Sequence, residues 1–446
     1  MQPEAHASLQ SIHLPKWVDW LWLALCAVYV LAGVAMAPYH GDEASLIFMG
    51  RDFYYHVQGQ LDKIYVQEFE KLEPDAALEQ QLRLINGTLP KYMYGAIAYA
   101  MGADPDTLSE SWAWGAGWDW NIENGAIEPG DDVLLAGRYA SAILLALSIV
   151  IMFQIGQKVG GRGVAYLTTA YLVLNPAVLL NGRRAMMEGV LLFFSLLIVL
   201  VGLHLLVNRR WYMFLLLGVI SGLTVAAKHP GILPVALVFI SLAYVSLWRA
   251  YQEHNWLFAV RQIAKLFGAG VLSLILFFAL NPSWWQNPQL AAELVIQERS
   301  TTLSAQVTSA GGPADMSERV GQFYRQALIA QPMYSEVDYF KPYIVDEVAA
   351  YEASPWRGIA IGGSDIGAII LIILMLIGLG KLLFPLTDIS RMMIVWTSGT
   401  LAFTIAATPL EWQRYYLAAF PVIGLLSALG LITLYNLVTR QRRTAT

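Results

Sequence analysis

The chain has 446 residues, of which 57% are hydrophobic and only 14% are charged, and its mean hydropathy is +0.50. Soluble domains contain about 25% charged residues, so this composition excludes a disordered chain and argues against a water-soluble enzyme. The net charge of −5 argues against nucleic-acid binding, which usually requires a basic surface. The single cysteine, Cys26, excludes an intrachain disulfide and a thiolate metal cluster.

Ten segments are candidate membrane spans, because crossing a bilayer takes about 20 predominantly apolar residues. Runs such as 191–206 have almost no polar residue, whereas a helix of a soluble protein keeps a polar face. We therefore predict an all-α polytopic membrane protein with about ten transmembrane helices. The spans lie near residues 17–37, 133–155, 163–181, 189–207, 213–227, 231–248, 263–280, 361–380, 392–408 and 416–437.

The end of the first span has two interpretations. Residues 35–37 (Ala-Met-Ala) have the small-x-small pattern of a signal-peptide cleavage site. Pro38 would follow the cut, however, and the apolar run is long for a signal. We expect an uncleaved first helix.

The basic residues of the short loops predict the orientation of the helices. With a cytoplasmic N-terminus, four basic residues (Arg183, Arg184, Lys228 and Arg414) fall in short outer loops, and 29 of the 33 acidic residues fall outside. We therefore expect both termini in the cytoplasm. The inner segments then hold thirteen basic residues: Lys16, Lys158, Arg162, Arg209, Arg210, Arg249, Arg261, Lys265, Lys381, Arg391, Arg440, Arg442 and Arg443.

Two long segments, about 38–132 and 281–360, interrupt the hydrophobic pattern on the predicted outer side. Loops of this length usually carry function when they are ordered. Residues 43–60 and 90–101 mix apolar and polar positions, which predicts helices in the membrane interface. Tryptophans concentrate in both loops, which is typical of an interfacial aromatic belt and is also compatible with stacking against a sugar or acceptor. They are Trp112, Trp114, Trp118, Trp120, Trp284 and Trp285.

Three carboxylates stand where predicted helices meet the outer surface. Asp42 and Glu43 are the first acidic residues after the first span, and Glu188 begins an apolar helix. A carboxylate near hydrocarbon is costly unless it has a partner or a task. Asp42 could alternatively cap the following helix, and Glu188 could simply favour the positive end of a helix dipole.

Six basic residues lie at membrane depth on the side that the positive-inside rule depletes. Basic side chains at membrane helix ends often extend toward water and have no role in catalysis or binding. Several of them together favour an anionic ligand, and a phosphate at the membrane surface fits their charge and hydrogen-bonding geometry. The six candidates for binding a donor phosphate are Lys91, Arg138, Arg183, Arg184, Lys228 and Arg414.

Four stretches in this order resemble the GT-C superfamily of membrane glycosyltransferases, and more closely the protein O-mannosyltransferase and lipid A aminoarabinose transferase families. The resemblance covers roughly 1–250 well and 390–440 fairly, and 281–360 shows no match. The stretches are Asp42-Glu43; Arg138-Tyr139-Ala140-Ser141 with Gly160-Gly161-Arg162-Gly163; Asn175-Pro176 with Arg183-Arg184-Ala185-Met186-Met187-Glu188; and Arg414-Tyr415-Tyr416-Leu417 with Pro421.

The resemblance implies an inverting glycosyltransferase that moves a sugar from a polyprenyl phosphate to a hydroxyl acceptor outside the membrane. Asp42 matches the proposed general base and Glu43 its acidic neighbour, while Lys91 falls in a segment similar to the family's donor-phosphate region. Glu188 replaces the usual aspartate. Asp42 and Glu188 are candidate ligands for a divalent cation, Mg²⁺ or Mn²⁺, because both metals prefer oxygen ligands.

The resemblance also implies the organisation and partners of the protein. Residues 1–250 would form the catalytic transmembrane module with the first outer loop, and 251–446 the C-terminal helices with the second. The expected partners are the lipid-linked donor, membrane lipids, and a protein, lipid or glycan acceptor, without nucleic acid. We expect the plasma (inner) membrane rather than the endoplasmic reticulum.

Two other functions compete with transfer. A transporter or flippase for an anionic or sugar-linked lipid would carry ionisable residues at mid-membrane depth, whereas the charges here stand at helix ends. A non-catalytic receptor would bind a partner through the outer loops without turnover.

Overall fold

The computed structural model describes residues 15–444, with side chains to Thr439, and this part of the chain contains helices and no strand. An all-helical fold is therefore confirmed. Its α-helices are α1 (Lys16–Ala32), α2 (Gly41–Phe48), α3 (Arg51–Val57), α4 (Pro74–Ile85), α5 (Thr88–Ala100), α6 (Trp118–Glu123), α7 (Asp132–Leu174), α8 (Pro176–Arg183), α9 (Glu188–Val207), α10 (Trp211–Ala227), α11 (Ile232–Gln252), α12 (Trp256–Leu280), α13 (Pro288–Ala310), α14 (Met316–Phe323), α15 (Val345–Ala353), α16 (Asp365–Leu383), α17 (Asp388–Ala407) and α18 (Ala419–Thr444).

The long helix α7 is a hairpin with two arms. Gly161 at its bend has φ 82°, a conformation that glycine adopts at little cost. The rings of Phe153 and Tyr166 approach to 5.3 Å, although a straight helix would separate these residues by about 20 Å. The predicted spans near 133–155 and 163–181 therefore fold back against each other.

Seven helices in the described part of the chain are long and apolar enough to cross a membrane: α7, α9, α11 with the turn before it, α12, α16, α17 and α18. Helices α1 and α10 have 17 residues each and are shorter. A multi-pass membrane protein is confirmed, and the number of ten spans stays a prediction. Bulky apolar side chains on one face of α12, Phe267, Leu274 and Ile275, are 59–73% exposed, as a lipid-facing surface requires.

The predicted cytoplasmic ends of several helices meet in the structure. Asp19 of α1 pairs with Arg162 at the α7 bend at 2.8 Å, and Arg249 of α11 pairs with Asp388 of α17. Each pair therefore brings two predicted cytoplasmic ends together, while the orientation itself stays a prediction. The terminal residues 1–14 and 445–446, and the side chains of Arg440, Arg442 and Arg443, lie outside the described residues.

The first outer loop folds into short helices against the bundle. The predicted segment 43–60 forms α2 and α3, and the segment 90–101 lies mainly in α5. Gly50 and Gly95 allow α3 and α5 to touch, because a Cβ atom on Gly95 would collide with the carbonyl oxygen of Gly50. Both predicted helical regions are thus confirmed, and their depth in a membrane stays a prediction.

Candidate active site

The turn that joins α1 to α2 is fixed at three successive residues. Arg138 of α7 and Arg184, which follows α8, donate hydrogen bonds to its carbonyl groups, and a carboxylate of α15 accepts a hydrogen bond from its amide. Little freedom therefore remains in the backbone. The contacts are Arg138 Nη1 to the Ala37 carbonyl oxygen at 2.8 Å, Arg184 Nε to the Pro38 carbonyl oxygen at 3.0 Å, and the Tyr39 amide to Glu347 Oε2 at 2.7 Å.

His40 begins α2 as its N-cap. Its Nδ1 accepts a hydrogen bond from the Asp42 amide at 3.1 Å, and Glu43 Oε2 accepts one from the His40 amide at 3.1 Å. This reciprocal pair is a capping box that satisfies two amides of the first turn. The alternative in which Asp42 caps this helix is therefore wrong, and the Asp42 side chain is available for other contacts.

Glu43 is completely buried and paired. Arg138 binds its two oxygens through Nε at 2.8 Å and Nη2 at 2.7 Å, and the Ala185 amide donates to Oε1 at 2.7 Å. Burial alone would raise the pKa of Glu43, but the Arg138 guanidinium outweighs it and the pKa is lowered. Glu43 therefore joins α2 to α7 through a buried ion pair, and to the segment between α8 and α9 through the Ala185 amide.

Asp42 differs from its neighbour because its carboxylate is 27% exposed. Trp114 Nε1 donates to Oδ1 at 2.8 Å, and Arg414 Nη1 donates to Oδ2. Burial raises the pKa of Asp42, but Arg414 more than offsets this effect, so that the pKa is lowered overall. The structure thus presents an oriented, ionised carboxylate that a ligand can reach.

Glu336 completes the surroundings of Asp42 and was not predicted. Its Oε2 lies 2.7 Å from His40 Nε2, and its Oε1 lies 3.4 Å from Arg414 Nε. Burial opposes ionisation, but Arg414 and then His40 lower the pKa of Glu336 well below the ordinary glutamate value. Arg414 therefore stands between two carboxylates, and the network keeps one net negative charge when His40 is neutral.

Glu188 and Lys228 form a second buried pair close to this network. Lys228 Nζ donates to Glu188 Oε1 at 2.6 Å, while Oε2 has no hydrogen-bond partner in the described part of the chain. The Tyr415 ring links the two networks, because Lys228 Nζ lies 6.0 Å and Arg414 Cζ lies 5.8 Å from its centroid. The structure therefore gathers Asp42, Glu188, Lys228 and Arg414 around one aromatic ring.

Lys91 belongs to a separate cluster within the first outer loop. Its Nζ lies 2.7 Å from Asp52 Oδ2, and Arg83 Nη2 contacts Asp52 Oδ1 at 2.6 Å. Burial opposes ionisation of Asp52, but Arg83 and then Lys91 lower its pKa to about 2. The three charges connect α3, α4 and α5, which stabilises the loop beside the site.

This cluster predicts acid sensitivity of the loop. The pKa of Asp52 is about 2 in the fold and about 4 in an unfolded chain, so its stabilisation is present above pH 4 and lost as the pH falls toward 2. We expect the melting temperature to fall more steeply between pH 5 and 3 in the wild type than in Asp52→Asn. Thermal unfolding in detergent measures this, with exposed Asp62 as the Asp62→Asn control. Equal pH slopes in all three proteins would contradict the assignment.

Arg183 and Arg184 are both buried but bind mainly carbonyl oxygens. Arg183 contacts the carbonyls of Tyr29 and Val30 in the last turn of α1, at 2.7 and 2.9 Å. A cation there complements the negative end of the helix dipole. Arg184 bridges the Pro38 and Tyr334 carbonyls and so joins the two outer loops. Arg183 lies at the end of α1, whereas Arg184 flanks the Asp42 network.

The candidate metal ligands do not fit a metal ion in this arrangement. Asp42 already pairs with Arg414, and Glu188 with Lys228, so each carboxylate has a fixed cationic partner. The described residues also contain no group of three His, Cys, Asp or Glu side chains able to hold a metal. We therefore assign no step of the chemistry to a divalent cation.

The tryptophans of the first loop form an aromatic cluster beside Asp42. Trp112 and Trp118 pack edge-on against Tyr39, with ring centroids 5.8 and 5.7 Å apart, and Phe340 of the second loop joins them. Trp114 reaches the Asp42 carboxylate directly. These side chains are therefore part of the site wall, beyond what an interfacial belt alone would require.

Comparison with known proteins gives a partial family match and a fold. The family profile described as dolichyl-phosphate-mannose-protein mannosyltransferase matches residues 107–283, less than half of the chain and without Asp42. No curated protein sequence matches the chain. The structure of ArnT from Cupriavidus metallidurans bound to undecaprenyl phosphate superposes with a TM-score of 0.54 at 13% identity, covering 93% of this chain and 60% of that one.

An archaeal enzyme has a similar architecture. The oligosaccharyltransferase of Archaeoglobus fulgidus in its apo form gives a TM-score of 0.51 at 11% identity, covering 96% of this chain and 52% of that one. The chain has the GT-C fold. The GT-C resemblance drawn from the sequence is thereby confirmed, and both the profile and the fold are those of glycosyltransferases. The chain spans about three fifths of the length of ArnT and half of that of the oligosaccharyltransferase.

Proposed function

We propose that this protein transfers a sugar from a polyprenyl-phosphate donor to a hydroxyl group on the extracytoplasmic side of a membrane. The observation that carries the proposal is the carboxylate of Asp42, which is partly exposed, ionised and oriented by Arg414 and Trp114. The GT-C fold supports it, since the similar ArnT structure contains undecaprenyl phosphate.

Asp42 acts in this proposal as the general base. The acceptor oxygen attacks the anomeric carbon, its proton passes to Asp42, and the bond from that carbon to the phosphate oxygen breaks. The electron pair of the broken bond leaves with the polyprenyl phosphate. A single displacement inverts the anomeric configuration. A base within hydrogen-bond reach of the acceptor contributes typically about 10²- to 10⁴-fold to the rate.

Arg414 and Lys228 are our candidates for stabilising the leaving phosphate. Charge develops on the phosphate as the bond breaks, so fixed cations lower the barrier. Both cations lie around Tyr415 near Asp42, and each makes only one hydrogen bond to the described residues. The other four predicted cations, Lys91, Arg138, Arg183 and Arg184, are held by carboxylates or carbonyls and are proposed to maintain the site's shape.

Glu43 is proposed as a positioning residue. Its oxygens are occupied by Arg138, the Ala185 amide and the His40 amide, so it holds the turn that carries Asp42. The acceptor is proposed to approach beside Trp114, whose indole contacts Asp42. A protein, lipid or glycan hydroxyl satisfies this chemistry equally, and the membrane in question is proposed to be the plasma membrane.

The proposal is tested with the purified protein in proteoliposomes that contain undecaprenyl phosphate carrying tritium-labelled mannose. Peptide, lipid and oligosaccharide pools serve as acceptors. We expect label to move from the lipid to one pool, with inverted anomeric configuration and release of undecaprenyl phosphate. Movement of intact labelled lipid across the bilayer without any transfer product would instead show a flippase and overturn the proposal.

A further inference from the structure

A second basic cluster lies at the end of the helix bundle remote from Asp42. It centres on Arg209, in the turn between α9 and α10, and on Lys265 of α12, whose Nζ lies 3.5 Å from the Arg209 carbonyl oxygen. Helix α9 begins at Glu188 beside the Asp42 network and ends at Val207, so its length separates Arg209 from that network by about 30 Å. The mechanism proposed above gives these two cations no role.

Neither cation has an ion-pair partner in the described part of the chain. Neighbouring Asp388 is already contacted by Arg249 and by Arg391, the latter at 3.1 Å. Burial and then Arg249 lower the pKa of Arg209. Asp388 and Glu253 raise this pKa but do not compensate fully. Because a guanidinium keeps its charge in proteins, the cluster carries an excess of positive charge that an anionic ligand would neutralise.

Arg209 reaches into a small cleft between α9, α10, α11 and α12. Its Nη1 is buried there without a hydrogen-bond partner among the described residues, and so is Oε1 of Gln262, a side chain that is 8% exposed. A buried polar atom without a partner costs free energy, which a ligand that supplies the missing bond recovers. The cleft has a volume of about 10 Å³, so it admits one oxygen atom of a larger polar group.

An apolar groove on the surface between α11 and α12 continues from this cleft. Leu266 lines both, and the groove is further lined by Phe239, Ala243, Phe267 and Gly270 and has a volume of about 540 Å³. A Cβ atom at Gly270 would meet only Phe239, at 3.8 Å, so a larger side chain at this position would extend into the groove. An apolar groove that ends at an unpaired cation fits an amphiphile with an anionic head group.

We infer that the groove and the cleft bind an anionic phospholipid, with an acyl chain along α12 and the phosphate on Arg209 and Lys265. The predicted orientation places these cations on the cytoplasmic side, where the membrane surface is negatively charged. Since one lipid would contact both α12 and the turn between α9 and α10, its binding stabilises their packing and raises the melting temperature. This site is separate from the site of the proposed sugar transfer.

The test titrates the purified full chain in detergent with dioleoylphosphatidylglycerol, and with zwitterionic dioleoylphosphatidylcholine, which has the same acyl chains. Native mass spectrometry measures binding, and thermal unfolding measures stabilisation. Arg209→Gln removes the charge at the cleft, and Gly270→Leu fills the groove. The matched controls are Arg210→Gln, at the exposed neighbour, and Gly268→Leu, at an exposed position of α12 where an added Cβ atom has nothing within 4 Å.

We expect the wild type to bind phosphatidylglycerol about tenfold more tightly than phosphatidylcholine, because only the first carries net charge to the cluster. Arg209→Gln and Gly270→Leu should each weaken binding of phosphatidylglycerol about tenfold, the first by losing a charge-assisted hydrogen bond and the second by displacing the acyl chain. Both controls should bind it as the wild type does.

Three outcomes would overturn the inference. They are equal affinity of the wild type for the two phospholipids, wild-type binding of phosphatidylglycerol by Arg209→Gln, and binding of undecaprenyl phosphate that Gly270→Leu weakens as much as that of phosphatidylglycerol, since the groove would then belong to the sugar donor. Melting temperatures without added lipid are compared first. If Gly270→Leu is poorly folded, Arg209→Gln decides, because its side chain is partly exposed and lies outside the helices.

Discussion

Asp42→Asn is expected to reduce sugar transfer by about 10²- to 10⁴-fold with little change in folding, because it removes the proton acceptor and keeps the shape of the side chain. The amide oxygen can still accept the Trp114 indole proton that Asp42 accepts at 2.8 Å. The loss should appear in kcat, since the proton moves in the transition state, and donor binding should change much less. Single-turnover transfer from the labelled donor measures it.

The control for this change is Asp106→Asn, at an exposed aspartate of the same outer loop. It should transfer sugar at the wild-type rate. Transfer by well-folded Asp42→Asn at a rate within a few-fold of the wild type would remove Asp42 as the base. Asp42→Asn also removes one of the two carboxylates that Arg414 contacts in the described structure and leaves Glu336 as the other, which could lower the stability of the fold. The melting temperatures of both variants are therefore compared before their activities.

Breaking the buried pair of Glu43 and Arg138 is expected to cost about 3–5 kcal/mol of unfolding free energy, because the remaining charge stays buried without a partner. Neither residue has meaningful solvent access, and Glu43 also accepts hydrogen bonds from two backbone amides, those of Ala185 and His40. Glu43→Met and Arg138→Met should therefore each lower the melting temperature strongly and reduce the amount of protein that can be purified.

The double variant gives the decisive comparison. With both charges replaced, by Glu43→Met and Arg138→Met, no unpaired charge remains, so the loss should be smaller than the sum of the single losses. The exposed pair Lys341–Asp338 is the control, and Asp338→Asn should leave the melting temperature unchanged. Strictly additive losses for Glu43 and Arg138 would contradict a direct coupling between them.

The positions of the helices could be predicted from the sequence because patterns of neighbouring residues determine them. A bilayer demands long apolar runs, and a bend needs a glycine such as Gly161, so the apolar pattern predicts where helices form. The sequence also predicted Asp42 at the point where the chain leaves the first helix, and in the structure Asp42 lies in the first turn of the next helix, α2. Residue types and spacing were sufficient for these conclusions.

The ion pairs of the site could not be predicted because their partners are distant along the chain. Glu43 meets Arg138 across 95 positions, and Asp42 meets Arg414 across 372. Which cation stays available depends on how the loops pack, so six basic residues looked equivalent in the sequence. Glu336 lies in the loop that resembled nothing, and no motif marked it. The only indication of Glu336 in the sequence is that a buried Arg414 requires acidic partners, and that requirement does not identify which carboxylate supplies the charge.

The fixed turn from Ala37 to Tyr39 has a consequence for substrate choice. Its carbonyls and amide are anchored by Arg138, Arg184 and Glu347 before anything binds. In the proposed mechanism, an acceptor therefore meets a carboxylate that is already oriented, and its binding does not have to rearrange the turn. Discrimination among acceptors must then arise along the route to Asp42, so exchanging the outer-loop segments that border this route should alter which hydroxyl is glycosylated and leave the chemical step intact.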